Sequence, residues 1–284
     1  MQCLADVQAI LGEGPCWVAQ DQSMLWVDIN RPHVFQWSAD RGLRTHVTAE
    51  KICSIVPRAS GGYIGAGYNG LVTFSGDFAI THFGHPEADL AGNRFNDGKI
   101  DREGRFWAGT MDHAEARDSG ALYRIDHDLS WTMIDTGYRV TNGPAFSADG
   151  RTMYHTDSAI QCVYAFDLDA AGNATNRRTF LQFTPDMGYP DGMTVDAEDC
   201  LWIAFWDGWC VRRFAPDGRL LEQVPVPVQK PTSVAFGGPE TDRIFITSAA
   251  RDLSDAERKE QPNAGGLFAF YPGVKGIAEL PFAG

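Results

Sequence analysis

The chain has 284 residues, a formal net charge of −13, 12% aromatic residues, 30 glycines and 15 prolines. A surface of that sign repels phosphate backbones and anionic lipid, which argues against nucleic acid or a membrane surface as partner, and it favours a metal cation. Abundant Gly, Pro and aromatic residues without long Ala/Glu/Lys/Leu runs favour short strands and tight turns over helical bundles, so one all-β domain is expected over residues 1–284.

The opening MQCLADVQAI lacks a basic segment leading into a long apolar core, and no run of roughly 18 apolar residues follows. Neither a signal peptide nor a membrane span is expected, and a cytoplasmic location is. From there an aromatic-bearing strand and a partner strand recur together: MLWVDI (24–29) with VFQW (34–37), GYIGAG (62–67) with LVTF (71–74), and RFWAGT (105–110) with LYRI (122–125). TMYHTD (152–157) with VYAF (163–166), CLWIAF (200–205) with VRRF (211–214), and RIFITS (243–248) with LFAF (267–270) complete the series. Most pairs follow an Asp/Gly turn such as DREGR, SADGR or DAEDC, as antiparallel hairpins require. Copies at roughly 45-residue spacing predict a six-bladed β-propeller with four-stranded blades around a central channel. The longest interval without a strand pattern, roughly Thr247 to Ala264 with RDLSDAERKEQP, is expected to be a solvated surface excursion, with a helical turn inside the final blade as the alternative. The six scattered cysteines, with no CxxC pair, are expected to be free thiols.

A propeller gathers one loop per blade around its axis, so polar residues at equivalent positions can meet there. LGEGP (11–15), RFNDGK (94–99), TNGP (141–144) and YPDGM (189–193) are such segments. Each is expected to precede an innermost strand and to aim Glu13, Asn96 or Asp97, Asn142 and Asp191 into the channel. Carboxylates with amide oxygens make a hard-oxygen site for a divalent cation. His82 and His85 form an HxxH pair with no third ligand in sequence reach, and Ser147 and Ser158 lack a GxSxG elbow, so neither zinc nor serine chemistry is expected from them. Trp26, Trp107 and Trp202 fall at equivalent strand positions and read as packing. Trp206 and Trp209, flanking an Asp-Gly turn, are candidate sugar platforms.

The segments LGEGPCW, RFNDGKIDREGRFWAGTM, TNGPAFSADGRTMYHTDS, PDGMTVDAEDCLWIA and GGLFAFYPGVKGIA resemble the gluconolactonase and senescence-marker-protein (regucalcin-like) family, and within it bacterial aldonolactonases such as the xylonolactonases. That resemblance implies hydrolysis of a small-molecule sugar lactone, a pentono- or hexonolactone, by a monomer or weak dimer. It also implies one divalent metal on the axis, whether Ca²⁺, Zn²⁺, Mn²⁺, Mg²⁺ or Fe²⁺. Glu13, Asn142 and Asp191 match the metal ligands, Arg94 and Asn96 the substrate-binding pair, and Asp97 an acidic neighbour. Asp191 is assigned the further catalytic role of general base, with Asp97 as its alternative. After Gly109-Thr110-Met111 the segment DHAEARDSG is shorter than the animal pattern, and Glu115 is the nearest candidate for a substrate-binding Glu there. Two other functions stay open: a phosphotriesterase or arylesterase on the same fold, and a calcium-binding regulatory propeller without catalysis.

Overall fold

A strand pair with one apolar face cannot bury that face alone, and a ring of such units lets each cover its neighbour. The computed structural model describes residues 1–284 and contains six four-stranded antiparallel sheets. The first is Gly12–Val18, Ser23–Asp28, His33–Ser38 and Gly42–Val47. The second is Ile52–Pro57, Tyr63–Gly67, Gly70–Phe74 and Ile80–Gly84, and the third Asn93–Ile100, Phe106–Asp112, Gly120–Ile125 and Trp131–Tyr138. The fourth is Thr141–Phe146, Thr152–Asp157, Cys162–Leu168 and Ala174–Gln182, and the fifth Tyr189–Val195, Leu201–Trp206, Cys210–Phe214 and Leu220–Pro225. In the sixth, Pro231–Gly237, Arg243–Ser248 and Leu267–Phe270 are completed by the N-terminal strand Gln2–Ala5, which pairs antiparallel with Leu267–Phe270. The first strands of successive blades pack against one another around the ring, which makes the six-bladed propeller.

The repeated strand pairs are the second and third strands of the six blades. Their aromatics are buried, Trp26 at 1% exposure and Trp107 and Trp202 at 0%. The Asp that opens the preceding turn explains part of the repeat. Asp101 accepts the Trp107 indole N–H at 2.8 Å, the Arg105 Nε–H at 2.6 Å and two backbone amides. Asp196 does the same for Trp202 at 2.8 Å and for Arg213 at 2.8 Å. One carboxylate thus shapes the turn, anchors the indole and neutralises a guanidinium. The charged interval forms the helix Asp255–Glu260, started by a capping box between Ser254 and Glu257. All six cysteines are free, and no helix is long and apolar enough to cross a membrane.

After the last blade the chain crosses the far ends of the innermost strands. Gly276 bridges to Asp196, Glu279 accepts from Lys99 at 3.3 Å, and the Phe282 amide donates to the Pro57 carbonyl at 2.9 Å with its ring fully buried. Lys99 also donates to the Pro15 carbonyl at 3.2 Å. This tail floors the channel at the end opposite Glu13, Arg94, Asn142 and Asp191.

His155 lies in the fourth blade, fully buried, its ring edge-on to Tyr138 at 4.8 Å and both ring nitrogens without partners. Burial, reinforced by the Arg177 guanidinium, pushes the imidazole down from 6.5 to about 3. Below about pH 6.5 the unfolded chain takes up a proton at His155 that the folded protein refuses. This contribution to stability is therefore intact above that pH and lost as pH falls towards 3. His155→Phe keeps a ring against Tyr138 and removes the linkage. Urea unfolding at pH 7 and about pH 4.5 is expected to show the variant losing about 2–3 kcal/mol less than wild type; equal losses would show that His155 is not the acid-sensitive group.

Candidate active site

The four polar segments do not precede the innermost strands as expected; they lie within them. Each carries a register shift at the same place: between Glu13 and Cys16, Phe95 and Gly98, Asn142 and Ala145, and Pro190 and Met193. Such bulges break the two-residue alternation and re-aim side chains, here towards the axis. Gly14 and Gly143, at φ of +56° and +83°, occupy left-handed positions suited to glycine. Their amides turn back onto acidic oxygens, Gly14 N–H onto Glu13 Oε2 at 3.1 Å and Gly143 N–H onto Asp97 Oδ2 at 2.9 Å.

Glu13, Arg94, Asn96, Asn142 and Asp191 line one cavity of about 460 Å³ at the mouth of the channel. All five are buried, with Glu13 at 3% and Asp191 at 6% exposure. A hydrogen-bond chain fixes the amides across three blades. Arg94 Nη1 donates to Asn96 Oδ1 at 2.7 Å, Asn96 Nδ2 to Asn142 Oδ1 at 3.1 Å, Asn142 Nδ2 to Ser158 Oγ at 2.8 Å, and Ser158 Oγ to the Pro190 carbonyl at 2.6 Å. Asn142 Oδ1 keeps a second lone pair. Ser158 is thus a positioning group, and no histidine stands beside it.

Asp97 is placed differently. It is absent from the cavity wall, and its oxygens accept from Gly98 N–H at 2.8 Å and Gly143 N–H. It braces the bulges of two blades. Asp191 faces the cavity, with the Gly192 amide as its hydrogen-bond donor.

Burial holds the Glu13 carboxyl well above the usual carboxylate range, helped by Asp97 and opposed by the Gly14 amide, Arg94 and Lys99. Burial also raises Asp191 well above that range, with repulsion from Glu13 and then Asp97 adding to it. Buried carboxylates that repel one another are stabilised by a cation between them. No three His, Cys, Asp or Glu side chains cluster closely enough to cage a metal alone. A cation site here therefore needs the Asn142 amide oxygen, and its orientation is already fixed. Glu13, Asn142 and Asp191 could hold a hard divalent ion in this way.

Around the rim stand Lys230 and Arg139, which no motif announced, with Tyr189 from the YPDGM segment and Arg251 from the charged interval. Glu115 also lines the cavity, paired with Arg251 at 3.2 Å. Trp206 lines it beneath the Lys230 ammonium, 4.6 Å from the ring centre, while Trp209 stays outside. His82 pairs instead with Glu50 on the outer strand of the second blade.

The site is thus a polar cavity on the axis of a six-bladed propeller, with two buried acid side chains and a fixed amide in its wall. The chain belongs to the SMP-30/Gluconolactonase/LRE-like family, whose model matches residues 11–250. It is 37% identical to regucalcin of Xenopus laevis over 100% of this chain and 98% of that protein. It is 33% identical to a 6-deoxy-6-sulfogluconolactonase of Pseudomonas putida over 100% of this chain and 99% of the relative. Among solved structures, a calcium-binding protein, regucalcin, from Agrobacterium tumefaciens superposes with a TM-score of 0.93 at 27% identity, covering 99% of this chain and 96% of that one.

Proposed function

We propose that this protein hydrolyses the lactone of a sugar acid, with one divalent cation held by Glu13, Asn142 and Asp191. The observation that carries this reading is the pair of buried, mutually repelling carboxyls at the base of a cavity whose other wall is Arg94 and Asn96. Membership of a family that includes a named gluconolactone hydrolase supports the same reaction class. When bound, the cation supplies Lewis acidity to the lactone carbonyl and to water. Arg94 and Asn96 grip ring hydroxyls and fix the carbonyl beside Asp191. An Asp191 carboxylate oxygen takes a proton from the water whose oxygen bonds to the carbonyl carbon. The ring C–O bond then breaks, and the proton passes to the departing ring oxygen, leaving the open hydroxy acid.

A panel of aldonolactones followed with a pH indicator, on chelated protein with single metals added back, tests this. Turnover is expected to vanish on chelation and to return with at least one divalent ion. Full metal occupancy without turnover of any lactone would instead favour the calcium-binding regulator that the regucalcin relatives suggest. Turnover of phosphotriesters or aryl esters alone would favour the other hydrolase class.

A further inference from the structure

Beside the axial cavity, and sharing Arg94 and Arg251 with it, lies a second hollow of about 280 Å³ whose wall is Asn30, Lys51, Tyr68, Arg94, His113 and Arg251. It contains no acidic residue, in a chain whose net charge is −13. Tyr68 is the hub. Lys51 Nζ stands 5.2 Å and the Arg94 guanidinium 5.5 Å from its ring centre, and the His113 ring meets it edge-on at 5.4 Å. Arg94 is only 4% exposed, and Nη1 donates to the Phe95 carbonyl and to Asn96 while Nε has no partner at all. Glu13 acts on its charge from across the cavity, but no carboxylate stands within ion-pair distance of Arg94. Partial burial and then Arg94, Lys51 and Arg251 disfavour protonation of His113, with Glu115, the ion-pair partner of Arg251, opposing them more weakly, so the field at the hollow is positive.

A buried guanidinium with an unused donor, flanked by further cations, is costly unless something anionic completes it. Because Arg94 belongs to both hollows, a ligand seated over Asp191 can reach across it. We propose that Lys51, Arg94, His113 and Arg251 form an anion subsite of the active cavity, and that the lactone opened here carries a negatively charged group remote from its scissile carbonyl. A carboxylate, sulfonate or phosphate supplies the shared chemistry: oxygen acceptors for a forked guanidinium and an ammonium. The carbonyl end then lies over the acidic side of the cavity and the charged end over its basic side, so the two fields orient the substrate. This inference rests on the lactonase reading for its reaction and on the basic hollow for its substrate class.

The test compares glucono-1,5-lactone with its counterparts bearing a 6-carboxylate, a 6-sulfonate or a 6-phosphate, for wild type and for Lys51→Met and Arg251→Met. At least one charged lactone is expected to exceed the neutral one in kcat/KM by about tenfold or more, and each variant to shrink that ratio by about tenfold. The arm with the largest ratio identifies the anion. Calorimetric binding of the opened six-carbon diacid against the monoacid reads the subsite without turnover, and the diacid is expected to bind more tightly in wild type than in Lys51→Met. Neutral and charged lactones hydrolysed alike, with ratios unmoved by either variant, would overturn the subsite and leave the lactonase standing. No lactone hydrolysed, but Lys51-dependent binding of the diacid, would overturn the lactonase and leave the anion subsite standing. Failure of both would overturn both.

Discussion

Asp191→Asn is expected to open lactones about 10²- to 10⁴-fold more slowly than wild type even when metal is saturating, the range that general-base assistance typically contributes. The amide still offers an oxygen to a cation, so added metal can restore occupancy. It has no basic lone pair to take water's proton at neutral pH. Asp191 is the acid that faces the cavity, whereas both oxygens of Asp97 are bound by the Gly98 and Gly143 amides behind it. Asp97→Asn is therefore expected to act by loosening the two bulges, showing a lower melting temperature along with its loss of rate. Initial rates measured at matched metal occupancy decide the matter. Near wild-type kcat in Asp191→Asn, with collapse in a stably folded Asp97→Asn, would transfer the base to Asp97.

Glu13→Gln is expected to move the stability of the metal-free and metal-loaded protein in opposite directions. Without metal, Glu13 is a buried acid whose charged form is opposed by burial and by Asp97. A neutral side chain of the same shape removes that opposition, so the variant is expected to unfold at higher urea than wild type in chelator. With metal at about 1,000 times its Kd, wild type gains about 4 kcal/mol by mass action. The variant, stripped of one of two anionic ligands, is expected to lose most of that gain. Parallel urea titrations with and without metal read both effects. A metal-induced gain in Glu13→Gln equal to that of wild type would remove Glu13 from the ligand set.

The second and third strands of the blades were legible because they are short apolar runs, most pairs of them following an Asp/Gly turn, and in two blades the buried Trp107 and Trp202 with their Asp partners in that turn are the cause of the pattern. The innermost strands were legible only as motifs. Glu13-Gly14-Pro15 and Asn142-Gly143-Pro144 read locally as turns, since a bulge uses the same residues as a turn and destroys the alternation that identifies a strand. The outer strands Gly42–Val47 and Leu220–Pro225 are largely exposed, so no buried face imprints a period on them. The pairing of Gln2–Ala5 with Leu267–Phe270 joins residues too far apart for any local pattern to report. At the site, Glu13, Arg94, Asn96, Asn142 and Asp191 were legible through the motifs that contain them. Lys51, His113 and Arg251 were not, because Lys51 lies outside every motif, nothing local marks His113 within DHAEARDSG or Arg251 within RDLSDAERKEQP, and only the ring gathers them around Tyr68. Burial of the Asp97 oxygens by neighbouring amides was equally invisible, since one of the two donors, Gly143, belongs to the next blade.

The tail that runs from Gly276 past Glu279 to Phe282 turns the channel from a pipe into a well. In a pipe, reactant and product can move in single file, each pushing the other forward. In a well they share one doorway, and the site stays out of use until its last occupant has left. On the proposed lactonase reading, that occupant is more strongly charged than the arrival it replaces, because opening a lactone at neutral pH creates a new carboxylate. It departs past Arg139, Lys230 and Arg251, where it meets cations already paired with Asp118, Asp207 and Glu115. Accumulating acid is then expected to compete with fresh lactone for the same door.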